Sequence, residues 1–222
     1  MSDLLPLFPL PNVVLFPNVF LPLHIFEPRY RDMVADAVAS DRLIGMVLLR
    51  PGWDKDYEGR PPIYGVGCSG VMTHVERLPD GRYNIVLRGL ERFRIVEEDP
   101  ERSYRRALVE PLPERPLTSD DREAIRRCRH KLETLLRPAV AGDIRVPKSA
   151  PGRSRAGEAK IPEAMSDEDL VNALAQYLDL EALEKQALLE QPCLRTRATS
   201  LVELLEMKIM MARSPGTPHV AH

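Results

Sequence analysis

The sequence predicts an α+β protein with a β-rich amino-terminal part and a helical carboxy-terminal part. Up to about residue 117, short apolar runs alternate with prolines, glycines and polar turns, a pattern typical of strands. From residue 118 onward, apolar residues recur at helical spacing instead. We therefore expect a β-rich subdomain over 1–117, an α-helical subdomain over 118–213 and a flexible tail over 214–222.

The first 26 residues are apolar but repeatedly broken by proline. The segment LLPLFPLPNVVLFPNVFLPLHIF is long enough to suggest a membrane span, yet five prolines interrupt it and no basic residue precedes it. It indicates buried, extended chain with strands at 13–16 and 19–23, and with prolines at strand ends, edges and turns. We expect no membrane association.

A helix and a buried strand follow. Pro28 suits the first turn of a helix, and the apolar residues after it recur at helical spacing: Tyr30, Met33, Val34, Ala37 and Val38. Residues 43–49 form a run of branched apolar residues, which predicts a buried strand. The segment RPGWDKDYEGRPP at 50–62 is a polar loop that holds the single tryptophan.

The clearest local pattern is a hairpin over 71–88. LPDG at 78–81 separates two strand-like runs, and Asp80-Gly81 supplies the residues that a tight two-residue turn prefers. The second run has Tyr83, Ile85 and Leu87 on its apolar face. Two further short strands are predicted around 93–95 and 107–109.

Four helices are predicted after residue 118. Thr118 or Ser119 caps the first, and Ser166 with Asp169 resembles a capping box for the second. The third follows Asp179, and the last begins after Pro192. Their apolar stripes are Ile125, Cys128, Leu132, Leu135 and Leu136; Leu170, Leu174, Tyr177 and Leu178; Leu180, Leu183 and Ala187; and Leu201, Leu204, Leu205 and Ile209. Residues 145–162 lack apolar periodicity, which predicts a long mobile loop.

Composition excludes few functions but favours a reducing compartment. Cys68, Cys128 and Cys193 lie far apart and form no short metal-ligand spacing, so we expect neither a disulfide framework nor a metal site, and a cytoplasmic location. A formal net charge of −2 gives no general attraction to nucleic acid. The many arginines between residues 77 and 106 alternate with carboxylates, which favours an ion-paired, solvated sheet face over a phosphate-binding one.

Three short motifs admit a chemical and a structural interpretation. GVGCSG at 65–70 matches a dinucleotide fingerprint, but a strand follows where that fingerprint needs a helix. Cys68 or Ser69 could pair with His74 as nucleophile and base, yet no orienting acid is identifiable, so a buried thiol and a surface histidine are favoured. For His24, Glu27 and Arg29 we favour an ion pair that fixes the start of the first helix over a metal or acid–base site. We expect no cofactor.

Three blocks of sequence resemble the amino-terminal domain of Lon proteases. They are LPLFPLPNVVLFPNVFLPLHIFEPRYRDMV at 5–34, LPDGRYNIVLRGLERFRI at 78–95 and EKQALLEQPCLRTRATSLVELLE at 184–206. The resemblance implies a PUA-like pseudo-barrel followed by a helical bundle, and a substrate-recognition function. A Lon protease continues with an ATPase and a peptidase, but this sequence has no G-x-x-x-x-G-K-[ST] phosphate loop. We therefore expect a non-catalytic binding module that does not act as an enzyme.

Two groups of residues are candidates for partner binding. Trp53 and Tyr57 lie in a polar loop, where large aromatic residues either pack back or meet a partner. Met207, Met210 and Met211 recur at helical spacing, as in core filling or in an adaptable binding surface. The expected partners are unfolded polypeptides. The alternatives are one specific folded protein, and a small molecule or RNA on the PUA-like face.

Overall fold

The computed structural model describes residues 4–57, 59–139 and 165–213, and it confirms the α+β class. In chain order, the elements are β1 (Leu5–Leu10), β2 (Phe20–Ile25), α1 (Pro28–Val38), β3 (Leu43–Leu48), a 3₁₀ turn (Trp53–Asp56), β4 (Val66–Arg77), β5 (Tyr83–Asp99), β6 (Arg105–Pro111), α2 (Ser119–Ala139), α3 (Asp167–Tyr177), α4 (Ala182–Leu189) and α5 (Leu194–Arg213). The predicted mobile loop at 145–162 and the tail at 214–222 lie outside the described residues. No helix within the described ranges is both long and apolar enough to cross a membrane.

The strands form a sheet that closes on itself. Their order is β2-β5-β4-β3-β1-β6, and β6 pairs back onto β5. The long strand β5 makes this closure possible, because its first half pairs with β2 and its second half with β6. Five strands therefore form a ring, and β2 extends it along the first half of β5. Inside the ring, side chains from four strands pack together: Leu5, Leu7, Val47, Phe93 and Ala107.

The proline-rich start differs from its prediction in two places. Residues 13–16 are not a strand: the segment is largely buried but has no ladder partner among the described residues. Flanking Pro11 and Pro17 lack backbone N–H donors, which opposes ladder pairing there. In contrast, Leu5–Leu10 is a strand despite Pro6 and Pro9. Pro6 lies in the part of β1 that pairs only with β6, and Pro9 in the part that pairs only with β3. Proline has no backbone N–H to donate to a neighbouring strand. At Pro6 and Pro9 this missing donor falls on the side of β1 where no strand is paired.

The hairpin is confirmed, but its turn is not the predicted two-residue type. Gly81 donates its N–H to the Leu78 carbonyl, and Leu78 donates to the Arg82 carbonyl. Only Gly81 has a positive φ in this turn, at 82°. A type I turn followed by a left-handed glycine fits this pattern, which makes a three-residue loop. The strand predicted at 93–95 is likewise the continuation of β5, not a separate element.

The helical part is confirmed, with one face assigned wrongly. The Thr118 hydroxyl accepts from the Asp121 N–H, and the Ser166 hydroxyl accepts from the Asp169 N–H, so both predicted caps form. In α4, however, Leu183 and Ala187 are exposed, whereas Gln186, Leu188 and Leu189 are buried. The α4 prediction failed because the buried face includes a polar residue. Gln186 donates to the Val66 carbonyl of β4, so it is satisfied inside the interface.

One apolar core unites the ring and the helices. Residues of the sheet and α1, such as Ile85 and Met33, cluster with residues of the helical part, such as Leu132 and Leu201. Hydrogen bonds cross the same interface. Gln176 accepts from the Phe16 N–H at 3.2 Å, and Tyr177 donates to the Phe20 carbonyl at 3.0 Å. The two parts therefore pack as a unit around α5, which contacts the other three carboxy-terminal helices.

Candidate binding sites

The loop over 50–62 folds back onto the start of α1. Tyr57 donates its hydroxyl hydrogen bond to Glu27 Oε1 at 2.5 Å, and Arg29 Nη2 donates to the Tyr57 carbonyl at 3.1 Å. The Arg29 guanidinium also lies over the Tyr57 ring, 4.9 Å from its centroid. Burial and the hydrogen bond with Glu27 raise the pKa of Tyr57 above its ordinary value. Tyr57 therefore packs back, and the favoured Glu27–Arg29 ion pair is present at 3.0 Å.

Trp53 stands at the outer side of this cluster. Its ring meets the Tyr57 ring edge-on, with centroids 5.4 Å apart. It is half-buried, at the start of the 3₁₀ turn. The two aromatic candidates of this loop are thus in contact with each other.

Behind Tyr57 lies a cavity of about 220 Å³, which we call the arginine-lined cavity. It opens between α1, the 50–62 loop and the segment that leads into β6. Four arginines and three tyrosines line it: Arg29, Arg60, Arg102, Arg105, Tyr30, Tyr57 and Tyr104. Pro9, Leu49 and Pro61 supply the main apolar part of its wall. Sequence patterns missed this site because its residues come from four separate segments.

The three methionines of α5 form an exposed patch. Met207, Met210 and Met211 are 42%, 64% and 68% exposed, so they do not fill the core. Two ion pairs connect this end of α5 to its neighbours, Lys208 to Glu184 and Lys131 to Glu206, each at 2.9 Å. Leu183, beside Glu184, adds an exposed apolar side chain on the adjacent helix. We call Met207, Met210 and Met211 the methionine patch.

A second apolar surface follows the free edge of the sheet. Among the described residues, β2 pairs with β5 alone, so its other edge has no strand partner. Phe20 at one end of β2 and Phe26 just beyond the other are both exposed. Pro22 in the centre lacks a backbone donor, which restrains pairing with another chain.

The remaining motifs have structural explanations. Residues 66–77 are strand, so GVGCSG precedes no helix. Cys68 is fully buried, and burial raises its pKa to about 12, while His74 is exposed. His24 contacts Asn84 and Arg82 on the hairpin, at 2.8 and 3.2 Å. Among residues 4–57, 59–139 and 165–213, no group of three or more His, Cys, Asp or Glu side chains could hold a metal ion.

Several arginines of the sheet are ion-paired, but not all of these are solvated as predicted. Arg82 pairs with Asp80 and Arg106 with Asp99 near the surface. Arg92 and Arg105 are instead buried. Arg105 donates two hydrogen bonds to Glu98, at 2.7 and 2.9 Å.

Comparison with known proteins identifies the family. The family model described as the ATP-dependent protease La (LON) substrate-binding domain matches residues 4–207. Lon protease 2 of Myxococcus xanthus is 29% identical over 207 residues, covering 93% of this chain and 24% of the relative. The Lon protease of Anaeromyxobacter dehalogenans is 28% identical over 205 residues, covering 92% of this chain and 23% of the relative. The chain thus spans about a quarter of the length of these curated relatives.

Two solved structures show the same fold. One is the N-terminal domain of Mycobacterium avium complex Lon protease, with a TM-score of 0.63 and 17% identity, covering 92% of this chain and 98% of that one. The other is a Lon N-terminal domain protein from Xanthomonas campestris, with a TM-score of 0.53 and 22% identity, covering 96% and 99%. Since the family model spans most of its length, the chain belongs to the LON substrate-binding domain family.

Proposed function

We propose that this protein binds exposed apolar segments of unfolded polypeptides through the methionine patch, without catalysing a reaction. The observation that carries the proposal is the exposure of three methionines on one end of α5. The membership in a family described by substrate binding supports the same class of ligand. We expect the protein to act in the cytoplasm, without a cofactor and without nucleic acid.

Methionine suits this task for a physical reason. Its side chain is unbranched, flexible and polarisable, so one surface can adapt to many apolar partners. Unfolded chains present varied apolar residues without a fixed geometry, so an adaptable surface recognises them better than a rigid pocket. The flanking Lys208–Glu184 and Lys131–Glu206 pairs surround the patch with polar groups and carry balanced charge. Binding should therefore depend little on salt and on sequence.

The expected affinity is moderate. Full burial of an exposed methionine contributes roughly 1.5–3 kcal/mol, and the three side chains are already partly buried. Ordering of an unfolded chain on the surface opposes this gain. The balance predicts micromolar dissociation constants, which suit transient capture.

The test is a titration of a labelled, permanently unfolded polypeptide with this protein, followed by fluorescence anisotropy. The folded counterpart of the same polypeptide is the control. Saturable binding of the unfolded form, with displacement by unrelated unfolded chains, supports the proposal. Absence of binding, or displacement by one folded protein alone, would favour a docking module for a specific partner instead.

A further inference from the structure

The described wall of the arginine-lined cavity carries four guanidinium groups, those of Arg29, Arg60, Arg102 and Arg105. No carboxylate lines it among the described residues. Arg29, Arg102 and Arg105 have carboxylate partners behind the wall, Glu27 at 3.0 Å, Asp36 at 3.7 Å and Glu98 at 2.7 Å.

Arg60 differs from the other three arginines. In the part of the chain that the structure describes, no carboxylate lies within ion-pair distance of it. Its guanidinium instead donates to backbone carbonyls, those of Asp99 at 3.3 Å and Pro100 at 3.0 Å. Carbonyl oxygens hold the side chain in place but do not neutralise its charge. Arg60 and the loosely paired Arg102 therefore have the weakest ion pairing among the four arginines of the wall.

Tyr30 supplies a further hydrogen-bond donor in the same wall. The residue is only 4% exposed, and its ring packs on Phe8 with centroids 4.5 Å apart. Its hydroxyl has no hydrogen-bond partner within residues 4–57, 59–139 and 165–213. Burial raises the pKa of Tyr30 far above its ordinary value, so the hydroxyl stays protonated and remains a donor.

We propose that the arginine-lined cavity binds the carboxylate of a small organic acid. Arg60 and Arg102 supply charge-assisted donors, and Tyr30 supplies a neutral one from the inner wall. Pro9, Leu49 and Pro61 offer apolar contact to the body of the ligand, which inorganic phosphate would leave unused. A free organic acid and the terminal carboxylate of a polypeptide share this chemistry; only the second source rests on the proposed function.

Trp53 provides a direct reporter. It is the single tryptophan, and it contacts Tyr57, which forms part of the cavity wall. The experiment titrates the full chain with N-acetyl-leucine and follows tryptophan fluorescence, with N-acetyl-leucinamide as the uncharged match. We expect saturable binding of the acid and at least ten-fold weaker binding of the amide. Equal binding of acid and amide, absence of binding, or tighter binding of inorganic phosphate overturns the proposal.

Three variants assign the effect to the cavity. Tyr30→Phe removes only the hydroxyl, so we expect at least five-fold weaker binding of the acid with no loss of melting temperature. Arg60→Gln should weaken binding at least ten-fold. Arg127→Gln removes an exposed arginine on α2 and is the control that should bind like the parent protein. Unchanged binding in both cavity variants contradicts the site.

A second titration distinguishes the two sources of carboxylate. A ten-residue peptide that ends in leucine is compared with N-acetyl-leucine, each as free acid and as amide. Tighter binding of the peptide acid supports a polypeptide terminus as the ligand, and tighter binding of N-acetyl-leucine supports a free organic acid. Binding to the methionine patch is measured separately, by fluorescence anisotropy of the unfolded polypeptide. The two proposals can therefore fail independently of each other.

Discussion

Arg197 Nη2 donates to Glu114 Oε1 at 2.5 Å, which joins α5 to the segment that precedes α2. The same oxygen lies 3.1 Å from Arg92 Nη2 of β5. Arg197 is fully buried and also donates to Asn172 of α3 and to the Leu188 carbonyl of α4. One carboxylate therefore holds two guanidiniums at the junction of the ring and the helical part. Burial and the nearby Arg197 charge lower the pKa of Arg92.

Neutralising Glu114 should destabilise the protein strongly. Glu114→Gln removes the carboxylate that pairs with two buried guanidiniums. Loss of one partner from a buried ion pair typically costs about 3–5 kcal/mol. Urea unfolding followed by circular dichroism measures the free energy of unfolding. Glu123→Gln, which removes an exposed partner of Arg127, is the control and should change stability by less than about 1 kcal/mol. Equal effects of the two variants would show that the buried charge is unimportant.

Gly89 should not tolerate a side chain. A Cβ atom there would lie 2.0 Å from the Phe16 carbonyl oxygen, and Gly89 exchanges backbone hydrogen bonds with Asn18 and Val19. We expect Gly89→Ala to lose about 3 kcal/mol of unfolding free energy, because the backbone must move. Gly65→Ala is the matched control, since nothing lies within 4 Å of its Cβ position. If both variants unfold at the same denaturant concentration, Gly89 does not pack closely against the Phe16 carbonyl in solution.

Asp121 should make stability depend on acid pH. Its carboxylate accepts from Arg115 and from the N–H and hydroxyl of Thr118, and these hydrogen bonds hold its pKa well below the ordinary range. Because its folded-state pKa is depressed, Asp121 stabilises the fold fully above its unfolded pKa of about 4. This stabilisation is lost progressively as the pH falls from there toward the folded-state pKa. The difference in melting temperature between the parent and Asp121→Asn should therefore be largest above about pH 5 and should shrink steadily between about pH 4 and pH 2. A constant difference across this range would refute the assignment.

Cys68 should be chemically inert while the protein is folded. Its burial raises the pKa to about 12, so almost no thiolate forms at neutral pH. Cys128 is only partly buried and should react first with iodoacetamide, as mass spectrometry of the labelled peptides can show. Modification of Cys68 should appear only on unfolding. Rapid labelling of native Cys68 would revive the rejected nucleophile hypothesis.

Local patterns predicted the elements whose signals are local. The spacing of Tyr30, Met33, Val34 and Ala37 predicted α1 correctly because its buried face is wholly apolar. Val38, predicted on the same face, is instead exposed at the end of the helix. Thr118 and Ser166 marked helix starts because a cap needs only residues three positions apart. The strand β1 was missed because proline is unfavourable in a fully paired strand, and only the staggered pairing partners of β1 make Pro6 and Pro9 acceptable.

Local sequence patterns could not predict sites that form between residues far apart in the chain. Glu114 and Arg197 are 83 residues apart, and their pairing follows from how α5 packs against the ring. The sequence placed Tyr30 on an apolar helix face. A binding role for its hydroxyl could be proposed only after the fold showed that Tyr30 lines a cavity. Sequence identified the methionine patch by its spacing, but only the fold decides that the patch faces outward.

The most direct test of the proposed binding function is the affinity of the methionine patch for an unfolded polypeptide. The triple variant Met207→Gln, Met210→Gln and Met211→Gln keeps side chains of similar length and helix propensity but removes their apolar character. Val96→Thr, which changes an exposed apolar residue of β5, is the matched control. Anisotropy titrations should give a dissociation constant at least about ten-fold higher for the triple variant, equivalent to about 1.4 kcal/mol, and an unchanged value for the control. Equal affinity of the triple variant and the parent protein would contradict the claim that this patch binds unfolded chains.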